Sequence, residues 1–316
     1  MTTVTTVTAA RAVAGWRSGV AVTPRLAFLR ACALDVAVLK PGNVSLDAHG
    51  HGMHAAQFIA SAEAAAGALF EPRQGVGLRI EAAVAATQAA VGINTNLGIL
   101  LLCAPIACAA EDQDVPLRAA LNRVLAVLTV DDAAAAYRAI KRARPGGLGD
   151  ATRHDVHDGA PGVDLRAAMA LAAERDRIAR QYRDAYAEVF DLGLSALPRR
   201  FSPPAMSPQG RADAATVAAV QGLYLRLLST RPDSHIVRKH GEAAAQNVMA
   251  AAQAWLADGR HPASLNADPA FAAWDRELKA DGLNPGTTAD LTVATLMVAG
   301  LLAHQPPSGL QRWHGM

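Results

Sequence analysis

Apolar residues return at three- and four-residue steps over most of the chain, the spacing of one helix face, and no stretch pairs up as alternating strands would. Thr23-Pro24 reads as an N-cap followed by proline at the first helical position. The helix it opens carries Leu26, Leu29, Cys32, Val36 and Leu39 inward until Pro41-Gly42 stops it. Further helices are expected at about Met53 to Leu69, Leu78 to Val91 and Leu97 to Ala110, the last nearly all apolar and bent at Pro105. Asp114 and Pro116 open another, and Thr129 with Asp132 makes a Thr-x-x-Asp variant of the capping box before a helix ending at Lys141, Arg142 and Arg144. Beyond a breaker-rich stretch from Gly146 to Gly162, helices are expected at Asp164 to Phe190, Ala214 to Ser229, His235 to Leu256, Pro269 to Lys279 and Thr287 to His304.

Composition agrees with that pattern. With 51% hydrophobic residues but only 4% aromatic ones, and little β-branched enrichment, the chain suits packed helices better than a sandwich or barrel. The fold class expected is all-α, a single globular domain of about ten helices over residues 23–306, with an N-terminal extension at 1–22 and a C-terminal tail at 307–316. A formal net charge of +2 is too small for an electrostatic nucleic-acid footprint, so no nucleic-acid partner is expected. Leu97 to Ala110 and Leu291 to Ala303 fall short of the roughly 20 residues that a membrane span needs, and they read as core helices, with no membrane partner. Cys32, Cys103 and Cys108 lack CxxC spacing and lie in apolar helical patterns, which argues for buried reduced thiols and a cytoplasmic location. Long apolar helices with few aromatics also suit a homodimer interface.

Four polar islands interrupt the helices, at Lys40 to Asn43, Gly92 to Gly98, Asp233 to Lys239 and Asn284 to Asp290. Each falls where a helix ends or begins, so each can present unpaired backbone N–H groups together with amide, carboxylate or cationic side chains. Lys40 beside Gly42 and Asn43 makes a candidate phosphate clamp, against the simpler role of complementing a helix dipole. Asn94, Thr95 and Asn96 suit a base or ribose, or plain helix capping. Asp233 stands just ahead of Arg238 and Lys239, and Gly286 and Thr287 open a helix that offers N–H groups to an anion, with Thr287 and Asp290 spaced as a cap. Glu81 lies in an otherwise apolar helix, where burial would call for Mg²⁺ or base duty. Asp47, His49, His51 and His54 lack the spacing of a zinc site, and Asp155 is the candidate of a second acid and histidine cluster.

Taken in order, Lys40-Pro-Gly-Asn-Val44, Phe58-Ile-Ala-Ser-Ala62, Glu81 ahead of Gly92-Ile-Asn-Thr-Asn-Leu-Gly98, Asp233-Ser-His-Ile-Val-Arg-Lys-His-Gly241 and Asn284-Pro-Gly-Thr-Thr-Ala-Asp-Leu291 resemble the triphosphoribosyl-dephospho-CoA synthase family over most of the chain. The resemblance implies an all-helical transferase that breaks the N-glycosidic bond of ATP, releases adenine and passes the triphosphoribosyl group to a hydroxyl of dephospho-CoA. It assigns Lys40, Gly42, Asn43, Arg238, Lys239, Gly286 and Thr287 to the triphosphate, Asn94, Thr95 and Asn96 to the nucleoside, and Glu81, Asp233 and Asp290 to catalysis. Mg²⁺ is the implied metal, with Glu81, Asp233 and Asp155 as its candidate ligands. Members serving citrate lyase carry His-Lys after the Asn-Thr pair where this chain has Asn96-Leu97. It is therefore more similar to the branch found in methanogens and methylotrophs, and the acceptor expected is a dephospho-CoA-like or pterin-related precursor. Two other readings stand beside it: a Mg²⁺-dependent hydrolase acting at ribose C1, resembling ADP-ribosylglycohydrolases, and a non-catalytic nucleotide-binding module.

Overall fold

Thr23 Oγ1 accepts a hydrogen bond from the Leu26 N–H at 3.2 Å, and with Pro24 behind it the first helix starts where local chemistry says it should. A computed structural model describes residues 22–145, 162–204, 210–257 and 265–304. Among them are thirteen α-helices and no β-pairing beyond an isolated bridge from Gly50 to Met53. In chain order they are α1 (Pro24–Ala37), α2 (Ala55–Leu69), α3 (Val76–Val91), α4 (Leu97–Ala109), α5 (Leu117–Ala126), α6 (Val130–Ala143), α7 (Leu165–Ala172), α8 (Arg177–Arg183), α9 (Ala214–Leu228), α10 (Ser234–His240), α11 (Glu242–Ala257), α12 (Pro269–Ala280) and α13 (Gly286–Ala303). The fold is all-α, and the capping box at Thr129 and Asp132 is present at the start of α6.

Two expected long helices are divided. The Asp164 to Phe190 segment becomes α7, α8 and a π-helical turn over Glu188–Gly193. The cause lies in α4. Pro105 has no N–H to give the Leu101 carbonyl one turn back, and that carbonyl instead receives the Tyr182 hydroxyl at 2.6 Å, while the Tyr186 hydroxyl reaches Leu102 O at 2.9 Å. Bringing both phenols onto α4 interrupts the helix, and Ala185 and Tyr186 take left-handed backbone with φ of 51° and 58°. Left-handed backbone at such residues costs about 1–3 kcal/mol each, offset by giving the orphaned Leu101 carbonyl a donor in an apolar interior. The second division falls at Gly241, whose φ of 87° separates α10 from α11.

Side chains of α1 to α6 and α13 meet in one large apolar core. A smaller core of Tyr224, Leu228, Ile236, Val248, Phe271 and Trp274 joins α9 to α12, with Trp255 edge-on to Phe271 at 5.1 Å. The hub is α13. It is long and apolar enough to cross a membrane by composition, yet nearly every residue from Thr287 to Leu301 is buried within the protein. Its interior hydroxyls are satisfied within the helix, Thr292 Oγ1 donating to Thr288 O and Thr295 Oγ1 to Leu291 O, each at 2.8 Å. A helix buried all round fixes the position of its own first turn, and that turn is where the polar islands gather.

Candidate functional site

All four islands reach the start of α13. The Lys40 to Asn43 turn docks on the turn before α13: Asn43 Nδ2 donates to Asn284 Oδ1 at 3.0 Å and the Gly42 N–H donates to Asp275 Oδ1 at 2.9 Å. Gly42 has φ of 79°, and a Cβ there would stand 2.7 Å from Leu283 O, so both conformation and space demand glycine. The Asp233 island is tied on by the Asp233 carboxylate. Oδ1 accepts the N–H groups of His235 at 2.8 Å and Ile236 at 3.2 Å, while Oδ2 accepts the N–H and hydroxyl of Thr288, both at 2.7 Å. The Gly92 to Gly98 island arrives through Gly98, where any Cβ would collide with the Asp290 carboxylate and come within 2.8 Å of Ile178 Cδ1.

Asp290 is the carboxylate left over. It is only half-buried, and among the described residues it has no hydrogen-bond or ion-pair partner. Burial, together with the neighbouring Asp35, Asp233 and Asp176 carboxyls, pushes its pKa well above the usual carboxylate range; Arg238 pulls the other way. Two residues before Gly98, Asn96 opens α4 with its amide Nδ2 buried and unpartnered. Asn94 and Thr95 are used locally. Asn94 Oδ1 accepts the Leu97 N–H at 3.2 Å, and Thr95 Oγ1 donates to Ser61 Oγ at 2.6 Å.

Several expected ligand contacts are taken up by the fold. Lys40 is fully buried, its ammonium held by the Asp35 backbone carbonyl and by Asp35 Oδ1 at 3.2 Å, so it is an internal ion pair and not a phosphate clamp. Asp233 spends both oxygens on two helix starts, leaving none for Mg²⁺ or for base duty. The N–H groups expected to await an anion after Gly286 are largely consumed: Gly286 donates to Asn284 O, Thr288 to Asp233 and Ala289 to Pro285 O. The helix begins at Gly286, with Thr287 inside its first turn, so Asp233 supplies from outside the cap expected of Thr287 and Asp290. Glu81 is clasped by Arg138, both N–H···O distances being 2.7 Å, and those bonds hold its pKa below the ordinary value, opposite to what a base near neutrality needs. Asp155 lies outside the described residues. Among the described residues no three His, Cys, Asp or Glu side chains are grouped to hold a metal ion.

Lys239 is exposed at the C-terminal end of α10. Arg238 on the same turn faces inward, its Nη1 standing 3.7 Å from Asp176 Oδ2 and its Nη2 3.5 Å from His235 Nδ1. Asp35, Asp176 and Arg177 were not singled out from the sequence, and His235, expected there as a metal ligand beside Asp233, stands in no group of metal-binding side chains among the described residues. Asp176 and Arg177 sit among alternating charges that resemble a solvated helix surface. In the structure Arg177 is buried, bonded to Leu227 O at 3.0 Å and to Glu188 Oε2, with its N–H on Ser234 Oγ at 2.9 Å. The Asp-Arg pair just before an apolar turn carried one local signal, since Asp176 caps α8.

A family model described as CitG: ATP:dephospho-CoA triphosphoribosyl transferase matches residues 22–308. A crystal structure from Archaeoglobus fulgidus, assigned as a triphosphoribosyl-dephospho-CoA synthase, superposes with a TM-score of 0.57 at 22% identity, over 78% of this chain and 98% of that one. That likeness is one of fold. No curated protein matches the sequence.

Proposed function

The chain belongs to the ATP:dephospho-CoA triphosphoribosyl transferase family, and from that premise we propose that Asp290 is the base of its transfer reaction. Membership makes the protein a transferase that uses ATP, and leaves the hydrolytic and non-catalytic readings without support. In the proposed step the C1′–N9 bond of ATP breaks and its electron pair leaves with adenine. The acceptor hydroxyl oxygen bonds to C1′, and its proton passes to Asp290. The observation that carries this reading is the unpartnered, half-buried Asp290 carboxyl, which its surroundings make a stronger base than an ordinary carboxylate. Carboxylates arranged around the site also favour the positive charge that develops on the ribose as the bond opens.

Around that base, Asn96 offers an unspent amide to the nucleoside, and Arg238 and Lys239 offer cations to the triphosphate. Mg²⁺ enters this reading only as the counter-ion of the triphosphate, since the described carboxylates do not form a cage of their own. The acceptor is dephospho-CoA, the substrate in the family's description. The test is to incubate the purified protein with ATP, Mg²⁺ and dephospho-CoA and to follow free adenine and the glycosylated product by mass. Product formation that survives Asp290→Asn at the wild-type rate would remove Asp290 from the chemistry.

A further inference from the structure

We propose that His235 is a specificity-determining donor, presenting its Nε2–H to a ring nitrogen of the departing purine. The proposal rests on the reading that this chain cleaves ATP at C1′ beside Asp290. The tautomer follows from the neighbours. Arg238 Nη2 lies 3.5 Å from His235 Nδ1, a guanidinium only donates, so Nδ1 is the acceptor and the ring proton sits on Nε2. Arg238 is itself steadied by Asp176 Oδ2 at 3.7 Å.

That Nε2–H is buried and has no partner. A buried donor without a partner costs about 1–3 kcal/mol, so its retention calls for a use. The ring rests on Gly286, where an added Cβ would stand 3.2 Å from Nδ1 and 3.4 Å from Cγ. Gly286 and Asp290 are four residues apart on α13 and therefore on the same face, about 5–6 Å from each other. The His235 ring and the Asp290 carboxyl thus lie along the same face of the first turns of α13.

The surroundings keep the ring neutral. Burial, followed by Arg238, Lys239, His51 and His240, lowers the His235 pKa to about 3. A neutral imidazole holds its N–H too tightly to give the proton away, so its contribution is a hydrogen bond to the negative charge growing on the leaving base. The electron pair of the C1′–N9 bond goes with the purine. The proton released by the acceptor hydroxyl goes to Asp290 and then through solvent to the base, and His235 ends as it began.

The experiment is a cycle between residue and substrate: wild type, His235→Ala and His235→Gln, each assayed for base release from ATP, 3-deaza-ATP and 7-deaza-ATP. Expected is a kcat loss on the order of 100-fold for wild type on the analogue that lacks the recognised nitrogen. His235→Ala should show a similar loss on ATP and no further loss on that analogue, while His235→Gln, which keeps an N–H, recovers part of the discrimination. If the alanine variant does not fold, the glutamine variant decides: equal rates on ATP and both analogues overturn the proposal. It is also overturned if His235→Ala discriminates both analogues as strongly as wild type does. A wild-type protein that releases no adenine from ATP overturns this proposal together with the reading it rests on, whereas base release without coupling to His235 overturns this proposal alone.

Discussion

Asp233 Oδ2 accepts both the backbone N–H and the hydroxyl of Thr288, each at 2.7 Å, across 55 positions of sequence. Through this carboxylate the starts of α10 and α13 are held together. Asparagine at 233 would keep the cap on His235 and Ile236 but turn an N–H₂ towards the Thr288 N–H, donor against donor. Asp233→Asn is expected to cost about 1–3 kcal/mol of stability, read as a lower urea midpoint. Loss of adenine release with an unchanged midpoint would instead return Asp233 to direct chemistry.

Asp290 gives the opposite stability result. Its folded pKa is raised above an unfolded value of about 3.9, so between those two values the folded protein holds a proton that the unfolded chain has released. Stability is therefore lost as pH rises through that window, and it stays lower above the folded value. Asp290→Asn is expected to melt above wild type at neutral pH, with the gap closing towards about pH 4, while adenine release falls on the order of 100-fold or more. Thermal melts across pH that show no such gap would mean the carboxyl is not destabilised by its setting.

Gly98 leaves the space that Asp290 occupies. Gly98→Ala drives a methyl into that carboxylate and into Ile178, at a cost of about 1–3 kcal/mol, and displaces the proposed base. Gly92→Ala serves as the control, since Gly92 has φ of 72° but nothing within 4 Å of an added Cβ. It should cost about 1 kcal/mol in backbone strain and leave kcat near wild type. Equal kcat losses in the two variants would show that backbone strain, and not the contact with Asp290, is responsible.

Glu81 should prove dispensable for turnover. Its partner Arg138 is more than half exposed, and an exposed pair of this kind contributes about 0–1 kcal/mol. Glu81→Gln is expected to keep adenine release within a few-fold of wild type and to shift the melting temperature slightly. A tenfold fall in kcat would place Glu81 back at the reaction.

Lys40 matters for folding. Removing the ammonium leaves Asp35 buried, charged and uncompensated, so Lys40→Met is expected to cost about 3–5 kcal/mol. Adding Asp35→Asn should recover part of that loss, because burial already raises the Asp35 pKa and disfavours its charged form. Additive costs in the double variant, measured by chemical denaturation, would show that the two side chains do not depend on each other.

Much of the architecture is written in short-range pattern. The N-caps at Thr23 and Thr129, the break at Gly92 and the all-α class follow from spacing and capping within a few residues, where the forces act between near neighbours. Pro105 was legible as a disturbance of α4, but its consequence appears some 80 residues later, where Tyr182 turns in to the unpaired Leu101 carbonyl, Tyr186 reaches Leu102 O, and what reads as one charged helix is divided. The four islands were legible as a set because each stands at a helix end.

Which island side chain is spent and which is left for a ligand was decided by tertiary structure alone. Asp233 and Asp290 look alike in sequence, each an acidic residue at the edge of a polar turn, as do Lys40 and Lys239. A carboxylate becomes structural when donors from distant segments close on both its oxygens, as Thr288 does for Asp233. It becomes available when neighbours approach and bring none, as Gly98 and Ile178 do for Asp290. Spacing along a chain fixes which face of a helix a residue occupies. What stands opposite that face depends on how α13 packs into the core, and the raised pKa of Asp290 and the tautomer of His235 follow from that packing.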